Sequence, residues 1–293
     1  MTEGPDAAEF EALRPLLFTV AYEMLEVAAD AEDVVQEAWL RWSRVDPTTV
    51  RDARAYLVRI VIRLSLNRFR TVSRQRETYV GPWLPEPLLT VQDVADDVEL
   101  ADSVSTAMLL VLQTLTPVER AVFVLREVFD VPYDEIATAV GRSSAAVRQI
   151  AHRSREHVAA RRPRQQVSRA EQTAVVDRFL AAVRGGDLQG LLDVLAPDVV
   201  VVADGGGVVS AARQPIVGAD KVAAFLGGLA RVSVDFTAEP MWLNGAPAGR
   251  VDLGGELNTA MSLVVEDGRI VRIYAVRNPH KMARLGEETS LSR

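Results

Sequence analysis

The apolar periodicity of this chain changes kind near residue 168, and that change constrains its architecture more than any other feature. Up to about residue 160, apolar residues recur at steps of three and four. Phe10, Leu13, Leu17, Val20 and Met24 form one such stripe, Val35, Ala38, Trp39 and Trp42 a second, and Leu57, Ile60, Val61, Leu64 and Phe69 a third. This spacing predicts amphipathic helices. After a helix over about 169–184 and another over Leu188–Leu195, the texture becomes β-rich: Val199–Val202, Val232–Phe236, Val251–Leu257, Met261–Val265 and Ile270–Val276, with a helix around 220–229. Asp267-Gly268 marks a hairpin turn. The expected fold is multidomain: all-α parts, then an α+β domain whose curved antiparallel sheet encloses a concave interior.

The boundaries follow from the breakers. One helical domain is expected over 1–76, with Asp46-Pro47 separating its second and third helices. A linker, TYVGPWLPEPLLT and its acidic continuation, spans 77–97; its prolines fix φ and remove donors, so it should be extended. Trp83, Leu84 and Leu88 within it are too apolar to be left in water. A second helical domain covers 98–162, and the α+β domain 168–286. With 293 residues, 48% hydrophobic and 25% charged, the chain is neither fibrous nor disordered. It has no apolar run of about 20 residues, and its N-terminus is acidic where a signal peptide is basic, which predicts a soluble cytoplasmic protein without membrane partners. The absence of cysteine excludes disulfides and thiolate chemistry, and three histidines are too few for a convincing metal cluster, so no cofactor or metal is expected.

The net charge of −7 hides a sharp partition. Residues 3–40 carry ten acids and one arginine, residues 51–76 eight arginines and one acid, and residues 142–169 eight arginines and one acid. Two cationic blocks in an acidic chain are what a DNA-binding protein with an acidic second partner surface shows, and from charge alone two solvated helix faces explain them equally well. On the third helix Arg59, Arg63, Asn67 and Arg70 share a face opposite the apolar stripe. Further on, Thr116, Pro117 and Glu119 open a helix in capping-box spacing. Tyr133–Ala137, Gly141 and Ser143 then phrase a helix–turn–helix. Its second helix presents Ser144, Arg148, His152 and Arg155 as one strip, flanked by Ala145, Gln149 and Arg153. Arginine and glutamine can read guanine and adenine edges in the major groove.

On these residues the chain resembles the extracytoplasmic-function sigma factors of bacterial RNA polymerase. ADAEDVVQEAWLRW with ARAYLVRIVIRLSLNRFR is similar to sigma region 2, and LTPVERAVFVLREVFDVPYDEIATAVGRSSAAVRQIAHRSRE to region 4. Three further motifs resemble the subclass with a C-terminal SnoaL-like extension: WLPEP at Trp83–Pro87, a DGGG loop at Asp204, Gly205, Gly206 and Gly207, and an NPDKL-like end at Asn278, Pro279, His280, Lys281 and Met282. Val208 departs from the basic residue common after the glycines, and His280 from the family's acidic one.

The resemblance implies partners and roles. The polymerase core would bind Asp30, Asp33, Gln36 and Glu37. The −10 element of promoter DNA would be gripped and opened by Tyr56, Arg59, Arg63, Asn67, Arg68 and Arg70. The −35 element would be read by Ser144, Ala145, Arg148, Gln149, His152 and Arg153. A regulatory interface would join Trp83, Leu84 and Pro85 to Asp204, Gly205, Gly206, Gly207, Asn278, Pro279 and Lys281. No covalent chemistry is implied, and no motif names a ligand for the concave domain. Two rivals remain at this point. SnoaL-like folds include cyclases and are related to ketosteroid isomerases, for which Asp204, Asp252, Glu256 and His280 would be the acid–base candidates. A one-component DNA-binding regulator would explain 98–293 and leave 1–76 idle.

Overall fold

The computed structural model describes residues 5–46, 49–91, 97–162, 167–229, 236–253 and 256–293. Three long helices open the chain: α1 (Pro5–Leu25), α2 (Ala28–Trp42) and α3 (Ala53–Glu77). Asp52 starts α3 by accepting the Ala55 N–H at 2.9 Å, satisfying one orphan donor of the first turn. Past the linker come α4 (Val98–Val104), α5 (Thr106–Leu112) and α6 (Pro117–Phe123), the last running on as a π-helical turn over Val124–Val128. Thr116 and Glu119 close the capping box that their spacing predicts. Then α7 (Tyr133–Val140) ends on Gly141 at φ 67°, and Ser143 caps α8 (Ser144–Ala159), giving the helix–turn–helix. The two helical parts do not keep separate interiors. Leu17, Leu57 and Ile62 belong to the same buried cluster as Leu109, Val122 and Val147.

The C-terminal part begins with α9 (Arg169–Gly185) and α10 (Leu188–Val194), followed by β1 (Leu195–Asp204), β2 (Ile216–Val217), α11 (Ala219–Leu229), β3 (Thr237–Leu243), β4 (Ala246–Leu253), β5 (Glu256–Glu266), β6 (Arg269–Val276) and α12 (Pro279–Met282). The strand order is β2-β1-β6-β5-β4-β3.

Two strand expectations change, and a third lies almost wholly outside the described residues. The sheet is mixed, because β1 runs parallel to β6: the chain crosses by way of α11 to the far edge and returns through successive antiparallel neighbours, which brings β6 alongside β1 in the same direction. The run Val251–Leu257 is not one strand but the end of β4 and the start of β5. Of the run Val232–Phe236, all but Phe236 lies outside the described residues, and the strand β3 starts just beyond it. That strand closes on a hairpin at Asn244 (φ 53°) and Gly245 (φ 71°), a left-handed pair suited to the twist of two-residue turns.

Alternation along β1 and β6 sorts two faces. Val199, Val201, Ala203, Ile273 and Ala275 pack with α9 to α11 in one apolar cluster. Tyr274 and Val276 face the other way, where Val202, Leu84 of the linker and Ala107 and Leu110 of α5 cover them. Asp204, the next residue of that alternation, sits on this covered face.

Candidate functional site

The linker lies between the helical part and the sheet, fastened at both ends. At its first half, Asp204 is fully buried and its carboxylate gathers four donors. The Tyr79 hydroxyl donates at 2.5 Å and the Gly206 N–H at 3.1 Å to one oxygen; the Leu84 N–H at 2.9 Å and Lys281 Nζ at 2.7 Å donate to the other. Lys281 also donates to the Leu84 carbonyl at 2.5 Å. Its ammonium lies 3.5 Å from the Trp83 ring centroid and 4.7 Å from that of Tyr79, within cation–π range. Burial pulls the Lys281 pKa down to about 8, against the opposing pull of Asp204. Burial and the Asp204 hydrogen bond push the Tyr79 hydroxyl upward. Asn278 ties the motif ends together by donating to the Tyr79 hydroxyl at 2.7 Å.

The glycines after Asp204 serve close approach. A Cβ on Gly206 would meet Asn278 Nδ2 at 2.3 Å, and one on Gly207 would meet Val80 at 2.9 Å; both glycines have φ above +60°. Gly205 and Pro85 are buried and Trp83 is half-buried, while Pro279 and His280 face solvent. The structure thus brings Trp83, Leu84, Asp204, Gly206, Gly207, Asn278 and Lys281 into one assembly.

The second half of the linker is held by residues that sequence reasoning missed. Glu86 accepts the Ala28 N–H at 2.8 Å, and its carbonyl accepts the Tyr22 hydroxyl at 2.6 Å. Asn244 exchanges bonds with the Leu88 backbone in both directions and also donates to the Tyr22 hydroxyl and the Val104 carbonyl. Leu89 bridges to Leu243, which adds the linker to the edge of β3. Beneath it, Glu26 is paired with Arg120 at 2.5 Å, both fully buried, and with Arg76 at 2.9 Å. Arg120 Nε donates to the Glu23 carbonyl at 2.6 Å. This ionic cluster joins α1, α3 and α6. The Asn244-Gly245 dipeptide was a legible hairpin signal; Tyr79, Glu86 and Arg120 carry no local signature of burial.

The DNA-reading candidates divide. In α8, Arg148, Gln149, His152, Arg153 and Ala145 are exposed, and Ser144 donates to Asp134. Arg155, expected on that strip, is instead bound bidentately to Glu127 at 2.7 and 3.0 Å. In α3, Asn67 and Arg70 are exposed. Arg59 stacks on Tyr56, whose ring packs against Trp42. Arg63 donates to the Thr138 and Ala139 carbonyls at 2.9 and 3.4 Å, so the end of α7 sits on the α3 face expected to hold DNA. Arg68, a −10 candidate through the resemblance alone, pairs with Asp30 at 2.6 Å and Asp33 at 2.8 Å, because its position on α3 turns it toward α2. Asp30 is therefore largely buried, while Gln36 and Glu37 remain exposed.

The acid–base candidates are not gathered. Asp204 is sealed under the linker, Asp252 pairs with Arg250 at 2.7 Å on the face opposite Val251, and His280 is on the surface. The side chain of Glu256 lies outside the described residues. No group of three or more metal-ligating side chains occurs among the described residues, and no described helix is long and apolar enough to cross a membrane.

Comparison with known proteins finds two family models. Sigma-70 region 2 matches residues 10–75, and Sigma-70, region 4 matches residues 105–158. The chain is 39% identical over 292 residues to the ECF RNA polymerase sigma factor SigJ of Mycobacterium tuberculosis, covering 94% of this chain and 93% of that protein. It is 34% identical over 290 residues to the probable ECF RNA polymerase sigma factor SigI of the same species, covering 97% of each. The crystal structure of M. tuberculosis SigJ superposes with a TM-score of 0.74 at 34% identity, over 94% of this chain and 98% of that one.

Proposed function

Since the chain belongs to the extracytoplasmic-function RNA polymerase sigma factors, and so binds core polymerase and promoter DNA to start transcription, we propose that its C-terminal domain is a non-catalytic clasp that sets when the promoter is engaged. The region 2 match leaves no room for a one-component regulator in which residues 1–76 are idle. Within the proposal, Gln36 and Glu37 form the exposed core-binding edge of α2, with Asp33 beside them and Asp30 anchoring Arg68. The helix α3 grips the −10 element through Tyr56, Arg59, Arg63, Asn67 and Arg70, and α8 reads the −35 element. The protein works where polymerase and chromosome meet, in the cytoplasm.

The observation that carries the clasp is the grip of Asp204 and Lys281 on both backbone groups of Leu84. The linker between regions 2 and 4 is thereby fixed to the extension, and α7 rests on α3. In this closed arrangement the base-reading strip of α8 is open to solvent while Arg63 of α3 is engaged with α7. The −35 element can be read first; the −10 element requires α7 to leave. Polymerase drives that step by as much as its affinity differs between the closed and open forms.

Promoter-dependent transcription with purified core polymerase, combined with a photo-cross-linker at position 83, tests this. The cross-linker should label the C-terminal domain in the free protein and lose that label in the promoter complex. Trp83→Ala should shift the polymerase concentration needed for half-maximal transcription in the same direction as removal of residues 168–293. A truncation that transcribes like the full chain, with position 83 labelling nothing beyond residue 167, ends the proposal.

A further inference from the structure

The exposed arginine at the start of the recognition helix is not left to wander. The Arg148 guanidinium carbon lies 5.7 Å from the ring centroid of Tyr133, the first residue of α7. The same ring receives Arg126 at 4.9 Å. Arg126 is itself fixed, through Asp130 at 2.8 Å and the Val131 carbonyl at 3.3 Å. Tyr133 is half-buried and packs on the helical core, and it follows Pro132, whose φ of −61° sets the entry into α7. One residue further, Asp134 takes the hydroxyl of Ser144. The first turn of α7 therefore supports the outward face of α8 under Arg148 and beside Ser144.

A guanidinium that contacts a guanine bidentately must present its plane to O6 and N7 together. A free arginine side chain carries roughly 2 kcal/mol of rotamer entropy, and ordering it on DNA subtracts from the discrimination it gives. Stacking on a fixed ring removes part of that freedom beforehand. We propose that Tyr133 is a positioning residue for promoter recognition: its ring, steadied by Arg126, holds Arg148 ready to read one guanine of the −35 element. The inference rests on the assignment of α8 to the −35 element, and the experiment separates the two.

The full chain with core polymerase is used to transcribe from a promoter library randomised across the −35 region, and the preference at each position is read by sequencing the transcripts' templates. Arg148→Ala should relax the preference for G at one position by roughly 5-fold or more, the span expected for loss of one bidentate contact. Tyr133→Leu should relax that same position by about 2- to 5-fold, the scale of an exposed cation–π contact, and leave the others alone. Tyr133→Phe keeps the ring and should keep the preference. Arg126→Met, which leaves the ring in place and withdraws its second cation, should relax the position less than Tyr133→Leu. It also serves if Tyr133→Leu folds poorly. Because no charge on α8 changes, the salt dependence of binding should have the same slope in Tyr133→Leu as in the parent.

A Tyr133→Leu or Arg126→Met profile identical to the parent overturns the proposal. So does a uniform loss at every −35 position, which is what damage to α7 packing alone would give. If Arg148→Ala leaves every position unchanged, the assignment of Arg148 to base reading fails and the positioning role falls with it; if Arg148→Ala relaxes one position and Tyr133→Leu does not, only the positioning role fails.

Discussion

Asp204 and Lys281 stand 2.7 Å apart with the backbone of Leu84 gripped between them, its N–H on the carboxylate and its carbonyl on the ammonium. Both side chains are buried, so each charge depends on the other. Removing one partner of such a pair costs about 3–5 kcal/mol, whereas removing both leaves no orphan charge. Lys281→Met alone should therefore lower the urea midpoint and raise hydrogen exchange across residues 79–88. Asp204→Asn combined with Lys281→Met should recover part of the loss. Additive losses would show that the two act independently.

The loop that follows Asp204 allows no side chain at its tip. Gly206 has φ +62°, and a Cβ there would press on the Asn278 amide and the Tyr79 hydroxyl. Gly206→Ala should part the DGGG loop from the linker. Limited proteolysis near residue 80 should accelerate while the melting of the isolated helical signals changes little.

Acidity enters through Glu23, which is fully buried and accepts the Ser103 hydroxyl at 2.6 Å. Burial raises its pKa to about 7. Between pH 4.5 and 7 the folded chain holds this proton and the unfolded chain does not, so the unfolded state binds fewer protons and stability falls as pH rises through that window. Above pH 7 the slope from this group vanishes. Glu23→Gln should flatten the pH dependence of the urea midpoint between pH 5 and 7 and raise stability at pH 8; an unchanged slope would remove Glu23 as its source.

Much of this was readable and some was not, for physical reasons. Caps declare themselves locally, which is why Thr116 and Ser143 start helices where the sequence predicts them. The DGGG, WLPEP and NPHKM segments could be named from the chain, but which atoms meet was invisible, because Tyr79 and Arg120 look like ordinary surface residues until the fold surrounds them. The pairing of Arg68 with Asp30 and Asp33 was invisible because a 100° step on α3 decides whether a side chain meets α2, and the step is set by packing. The parallel pairing of β1 and β6 was hidden for a related reason: strand direction follows from where a crossover lands, and no residue in either strand encodes it.

The edge of α2 gives a cleaner charge test than its centre. Asp30 and Asp33 both hold Arg68, so altering either disturbs α3 as well. Among the described residues Glu37 pairs with Arg41 four residues on, at 2.5 Å, and both are exposed; such pairs contribute about 0.3–0.5 kcal/mol. Glu37→Arg should leave stability nearly unchanged and weaken co-elution with core polymerase. Asp30→Ala should instead lower stability. Unaltered co-elution of Glu37→Arg would move the core-binding surface away from this edge.

In the proposed clasp, the contact of Arg63 with α7 sets the order of promoter engagement. Its guanidinium meets the Thr138 and Ala139 carbonyls in the last turn of α7, where the helix dipole is negative and cations are favoured. The same guanidinium is proposed to meet the −10 element, so docking α7 and holding DNA compete for one group. Arg63→Ala should loosen α7 by about 1 kcal/mol, roughly a fivefold shift toward the open form, and raise hydrogen exchange over residues 133–140. It should also weaken binding of a single-stranded −10 oligonucleotide by the holoenzyme. Gln149→Ala should do neither, since Gln149 is an exposed residue of α8. In the wild-type protein, adding core polymerase and promoter should expose residues 133–140 to the degree that Arg63→Ala does. If α7 stays equally protected in the promoter complex, the −10 element is held without displacing it, and Arg63 is not the group that orders the two steps.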